Sequence, residues 1–155
     1  MTDHALPWPE RWFDDYRVGD RGQFGSVTVE QADIIEFGQR FDPQPFHTDP
    51  ELARSTSFGG LIASGWHTGA LMMRLLVDGV LGPSSMGSPG LDELLWLVPV
   101  RPGDTLTLHS TVEAVTPSRS RSDRGFVKMT QEMVNQEGVV ALRAVANMML
   151  RRRER

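Results

Sequence analysis

The spacing of apolar positions changes repeatedly along this chain, and each change marks an element. Residues 1–22 follow no clean period: Pro7, Trp8, Pro9 and Trp12 fall among charged residues, and the stretch reads as an arm. From Gln23 to Glu30 the sequence QFGSVTVE partly alternates, with Phe24, Val27 and Val29 apolar, which predicts a strand. Gln31 to Phe41 then carries Ile34, Ile35, Phe37, Gly38 and Phe41 at helical spacing. Pro43 and Pro45 break that pattern. Proline fixes its own φ and pushes the preceding residue out of the α region, so no helix runs through Asp42–His47 and an extended, stiff bridge is expected there.

Asp49-Pro50-Glu51 has the form of a helix start, with an acidic N-cap, proline at the first helical position and an acid in the first turn. Gly59 and Gly60 end that short helix. From Gly65 the sequence WHTGALMMRLLVDGVLG follows, apolar on nearly every side, which predicts a buried helix. The remainder reads as strands. Leu94–Val100 is an apolar run closed by the turn chemistry of Arg101-Pro102-Gly103-Asp104. Thr105–Val115 alternates, with Leu106, Leu108, Ser110 and Val112 on one face. Gly125–Asn135 and Gly138–Leu150 are joined by a hairpin-like turn. One long helix followed by long antiparallel strands predicts an α+β fold with the sheet wrapped round the helix.

At 155 residues the chain has the size of one domain with a single core. We place an arm at 1–22, the domain at 23–150 and a basic tail at 151–155. That tail holds four arginines and one glutamate and reads as a solvated end or a phosphate contact, while the net charge of −4 argues against nucleic acid as a partner. There is no cysteine, hence no disulfide framework, thiolate metal site or cysteine nucleophile. No apolar segment of 18 residues and no basic leader followed by an apolar run is present, so a cytoplasmic protein without a membrane partner is expected.

The candidate chemistry sits in the proline-broken segment. Asp42 and His47 pair an acid with an imidazole across a stiff bridge, the arrangement that water activation or proton shuttling needs. Ser64 lies in Ile62-Ala63-Ser64-Gly65-Trp66, which is not the GxSxG elbow of serine hydrolases. His47 with Asp49 supplies too few ligands for a metal, and none is expected.

The stretch Asp42–Gly65, DPQPFHTDPELARSTSFGGLIASG, resembles the MaoC-like branch of hot-dog-fold proteins, which includes the (R)-specific enoyl-CoA hydratases. That family carries an Asp, four intervening residues that commonly include Asn-Pro, then His. Asp42, Pro45 and His47 match, with Gln44 where Asn is usual. Asp49, Phe58, Ile62, Ala63 and Gly65 fit the pattern, as do Leu94-Leu95-Trp96 and the turn from Pro99 to Asp104. The likeness spans roughly residues 20–150, and its motifs together are far more specific than the Asp/His spacing alone.

The resemblance implies a single hot-dog domain, a homodimer or higher homo-oligomer with active sites near the subunit interface, and an acyl-CoA or acyl-carrier-protein thioester as substrate, with no metal or redox cofactor. It assigns Asp42 and His47 to holding a water and passing its elements to the double bond of a trans-2-enoyl thioester. It assigns the Gly65 N–H to the thioester oxygen, with Ser64 and Thr68 beside it in the oxyanion and substrate-binding set. Ser64 stands where the family often has His, and Met73 where hydratases of this group often have a hydroxyl residue, for which Thr68 is the nearest substitute. Arg119, Arg121 and Arg124 form a basic turn that reads equally as a contact for CoA phosphates or as a solvated hairpin tip. Two other functions fit the same core: a hot-dog acyl-CoA thioesterase, and a partner-dependent subunit of a heteromeric dehydratase.

Overall fold

A computed structural model describes residues 6–154. Within it five strands form one antiparallel sheet in the order β1-β3-β4-β5-β2, with β1 at Arg21–Thr28, β2 at Gly90–Trp96, β3 at Thr105–Pro117, β4 at Arg124–Val134 and β5 at Val140–Arg151. Four helices lie between β1 and β2: α1 (Gln31–Phe41), α2 (Pro45–Thr48), α3 (Pro50–Arg54) and α4 (Gly65–Gly79). The sheet wraps α4, giving the hot-dog arrangement of an α+β domain.

The alternation anticipated for β3 is observed. Leu106, Leu108, Ser110 and Val112 are buried on the inner face. Leu108 pairs with Met133, Ser110 with Gln131 and Val112 with Met129, and these in turn face Leu142, Ala144 and Ala146 of β5. The period-2 pattern therefore brings three strands of apolar side chains onto one surface against α4. Ser110 and Gln131, both buried there, hydrogen-bond to each other, so neither polar group is left unpaired in the core.

Several expectations change. The arm is not separate from the core: Trp8, Phe13 and Tyr16 are buried in it, and β1 begins at Arg21, inside the stretch assigned to the arm. Residues 1–5 of that arm lie outside the described residues. The tail stays largely exposed but is tied down at 152–153 by surface ion pairs, Arg152 with Asp14 at 2.9 Å and Arg153 with Asp15 at 2.8 Å; Arg155 lies outside the described residues. Finally, α4 is buried on one face only. Met72, Leu75 and Leu76 pack inward, but Trp66, Met73 and Val77 are 63%, 45% and 54% exposed. A single sheet covers one side of a helix, and among the described residues nothing covers Trp66, Met73 and Val77 on the other.

The segment between α1 and α4 is compressed rather than extended. Pro43 ends α1 as proline chemistry requires, yet Pro45 serves as the first residue of the one-turn α2, which carries His47. Here α1 passes so close to α2 that a Cβ on Gly38 would lie 2.7 Å from the His47 carbonyl oxygen and 3.1 Å from Thr48 Cγ2. Only glycine permits this approach. Gly38→Ala is expected to destabilise the fold by about 1–3 kcal/mol, the usual cost of overpacking, and to displace His47; chemical denaturation with the His47 ring resonances as reporter checks both.

Candidate active site

Three helix ends meet at one carboxylate. Asp42 is the C-cap of α1, Gln44 the N-cap of α2 and Ser64 the N-cap of α4, and neither N-cap side chain caps its own helix. Both turn to Asp42 instead. The Gln44 amide donates to Oδ1 at 2.8 Å, and the Ser64 hydroxyl donates to Oδ2 at 2.7 Å. His47 Nε2 lies 3.2 Å from the same Oδ2.

The His47 ring is oriented from its other nitrogen. Nδ1 lies 2.8 Å from the Ile62 carbonyl oxygen. A carbonyl only accepts, so Nδ1 carries a proton and donates, and the exchangeable proton of the ring belongs to Nε2, facing Asp42. The Ile62 N–H in turn donates to the Phe46 carbonyl at 2.9 Å, and the Ala63 N–H donates to Val100 at 2.9 Å. Residues 61–64 are thereby pinned between α2 and the turn that follows β2. The Arg101 guanidinium, donating to the Phe58 carbonyl at 2.6 Å, closes that turn against the same loop.

Burial pushes the Asp42 pKa up, but the hydrogen bonds from Gln44 and Ser64 and the charge of His47 together outweigh it and hold the carboxyl below its ordinary value. Asp42 is ionised at neutral pH. His67, although on α4, is not part of this pair: it is buried, stacks on Phe37 with ring centroids 4.9 Å apart, and is pushed toward its neutral form by burial against an opposing influence of Asp33.

Asp42 and His47 open onto a cavity of about 400 Å³ that is otherwise mostly apolar. Its walls come from Phe46 and Phe58, from Trp66 and Thr68 of α4, and from Trp96–Val100. The indoles of Trp66 and Trp96 meet edge to face at 5.2 Å. Gly65 lies at the floor, at the first position of α4, where the backbone N–H has no partner within the helix. A side chain there would collide with the Trp96 indole. Close packing thus accounts for the glycine, and the free N–H is a separate property of the same position.

Of the residues singled out in the sequence, the structure brings Asp42, His47, Gly65 and Thr68 to one cavity. It corrects the placement of Ser64, which is fully buried and turned to the carboxylate instead of the cavity. Asp49 is occupied in capping α3, accepting from the N–H groups of Glu51 and Leu52. Arg119, Arg121 and Arg124 are not brought to the site. Their turn lies beside Ser84 and Met86, past the far end of α4, and fifteen helical residues span about 22 Å at 1.5 Å each. Arg124 is moreover paired with Asp123 at 2.8 Å. Sequence reasoning missed Trp66 and Trp96 as cavity walls and Gln44 as a donor to Asp42. Gln44 is near Asp42 in the chain, but spacing alone does not say that its amide turns to the carboxylate, and Trp66 and Trp96 meet from separate segments.

A family model described as "MaoC like domain" matches residues 17–135. A MaoC-like dehydratase from Rhodospirillum rubrum superposes with a TM-score of 0.88 at 47% identity, covering 94% of this chain and 99% of that one. An R-hydratase from Pseudomonas aeruginosa, in its unliganded form, superposes with a TM-score of 0.75 at 26% identity, covering 90% and 84%. The (R)-specific enoyl-CoA hydratase of Rhodospirillum rubrum is 28% identical over 109 residues, or 70% of this chain and 74% of that protein.

The carboxylate geometry has a consequence for stability. A carboxyl whose folded pKa is depressed contributes stability that is present above its unfolded value and lost as pH falls through the folded one. Asp42→Asn should therefore remove part of the acid-side slope of unfolding free energy below about pH 4, the ordinary carboxylate range; urea titrations of both proteins across that range measure the difference.

Proposed function

The chain belongs to the MaoC-like domain family, and from that premise we propose that it catalyses the (R)-specific hydration of trans-2-enoyl thioesters, or the reverse dehydration of (R)-3-hydroxyacyl thioesters, with CoA as the carrier. The observation that carries this reading is the placing of Asp42 Oδ2 and His47 Nε2 3.2 Å apart on one wall of an apolar cavity.

In the proposed reaction the enoyl group lies along the cavity with its thioester oxygen toward the Gly65 N–H. A water held between Asp42 and His47 faces C3. Its oxygen bonds to C3 while Asp42 takes one of its protons, the double-bond electrons move toward C2 and the thioester oxygen, and the Nε2–H of His47, which in the reactive form carries a proton on both ring nitrogens, protonates C2. Both elements of water arrive on one face of the substrate. The pair ends with a proton on Asp42 and none on Nε2, and transfer across the 3.2 Å contact restores it. The Gly65 N–H, at the positive end of α4, meets the charge that develops on the thioester oxygen. Apolar walls strengthen each of these interactions by excluding water.

A thioesterase would need the same carboxylate to direct water to the carbonyl. With the carbonyl oxygen held at Gly65, the paired donor and acceptor favour addition across the adjacent double bond, where one group must take a proton and the other give one. For the uncovered face of α4 the occupant we propose is a second copy of this chain. Trp66 of this face meets Trp96 of the edge strand β2, and Met73, Val77 and Leu95 are exposed apolar residues of the same two elements, so apolar surface is exposed together with unpaired strand backbone.

Asp42→Asn and His47→Ala should each lower hydration of crotonyl-CoA by at least about a hundredfold, within the range that general acid–base groups contribute. Loss of absorbance of the conjugated double bond follows the reaction, and retained turnover in either variant, or thiol release without hydration, overturns the reading. Val77→Glu should shift the chain from dimer to monomer in sedimentation velocity.

A further inference from the structure

Ser64 occupies the position where a helix-starting serine ordinarily accepts a hydrogen bond from the backbone of its own first turn. Here that cap is forgone. The hydroxyl, with no exposed surface on its residue, donates to Asp42 Oδ2 at 2.7 Å, and it reaches across 22 positions of sequence to do so. Gln44, the N-cap of α2, likewise leaves its helix uncapped and donates to the other oxygen at 2.8 Å. Each carboxylate oxygen thus has a dedicated donor, one buried and one exposed.

From this convergence we propose that Ser64 is a positioning residue for the Asp42 carboxylate, with Gln44 as its weaker, solvent-facing counterpart, and that the two together keep Oδ2 facing His47 Nε2 and keep the carboxylate ionised. The need for such donors follows from where Asp42 sits. A carboxylate at the C-terminal end of α1 faces the negative end of that helix, which disfavours its charge. Partial burial disfavours it further. Among the described residues, His47 is the one titratable group whose charge bears on Asp42, so without the two donors the ionised state would rest on His47 alone. Donation by Ser64 also has a second effect. Because the hydroxyl is committed to Asp42, it accepts from no N–H of the first turn of α4, whose first residues, Gly65 and Trp66, line the cavity.

The consequences for catalysis rest on the hydratase reading above, but the consequences for the carboxylate do not. Titration of the Asp42 side-chain carbon by NMR, in the wild type, Ser64→Ala and Gln44→Leu, needs no substrate. The expected result is that Ser64→Ala moves the Asp42 titration to higher pH and Gln44→Leu moves it less, since an exposed hydrogen bond competes with water. In the hydration assay Ser64→Ala should lower kcat about 10–100-fold, the worth of a hydrogen bond to a charged group, with KM unchanged and the acid limb of the pH–rate profile displaced upward. An Asp42 titration unmoved in Ser64→Ala overturns the proposal, as does a loss of thermal stability without movement of the titration, which is what a capping role predicts. Should Ser64→Ala fail to fold, Gln44→Leu carries the test, and an unmoved titration there overturns it. A wild type that titrates as described but hydrates no enoyl thioester removes the functional reading and leaves the role of Ser64 standing.

Discussion

An ionised carboxylate at the wrong end of a helix is the constraint on which the site depends. Asp42 ends α1, where the backbone carbonyls already present negative charge, and its side chain is only about one-fifth exposed. Such a group is stable only when donors surround it. Gln44 and His47 supply them from α2 and Ser64 from the start of α4, so the end of α1, α2 and the start of α4 must converge within hydrogen-bonding distance of one point. Gly38 at the α1–α2 crossing and the pinned loop at 61–64 are the backbone consequences of that convergence.

The sheet provides the rigid frame for this convergence. Residues of β3, β4 and β5 form a continuous apolar surface under α4, and burial at roughly 25 cal/mol per Å² of apolar area makes that layer the main source of stability. The polar network contributes little to stability by comparison, because hydrogen bonds exchange for equal ones to water. Its contribution is geometric. It selects one tautomer of His47, one orientation of Asp42 and one path for the chain between α3 and α4. The N-terminal arm and the arginines after β5 extend the same frame at the far end of α4, where Phe13 packs against Gly125 and Arg152 holds Asp14.

The cavity is a product of these two layers meeting imperfectly. Apolar side chains from α2, α4 and the chain after β2 face one another but do not fill the space, and the two indoles of Trp66 and Trp96 rest against each other across it. Trp96 is also why position 65 is glycine, since the indole occupies the volume a Cβ would need. One close contact therefore requires glycine at the first position of α4 and walls the space in front of it.

Local chemistry made much of this legible from the chain alone. The period-2 pattern of Thr105–Val115, the Asp49-Pro50-Glu51 helix start and the termination of α1 before Pro43 depend on neighbours a few residues away, and each is realised. The Asp42/His47 pair was readable for the same reason, as was the glycine that opens α4. What the sequence could not carry was anything decided between distant segments. Ser64 appeared as a residue beside the substrate and is a buried donor to a carboxylate 22 positions earlier. The turn of Arg119, Arg121 and Arg124 read equally as a phosphate contact or a solvated hairpin tip, and the fold sets it away from the cavity with Arg119 and Arg121 exposed. The helix read as buried all round keeps one apolar face open, because hydropathy records that a face is apolar and not what covers it. Sequence by itself determined the elements, the Asp42/His47 pairing and the family; only the tertiary structure decided which donors hold that pair, since hydrogen bonds across a fold depend on where chain segments meet and not on their spacing along it.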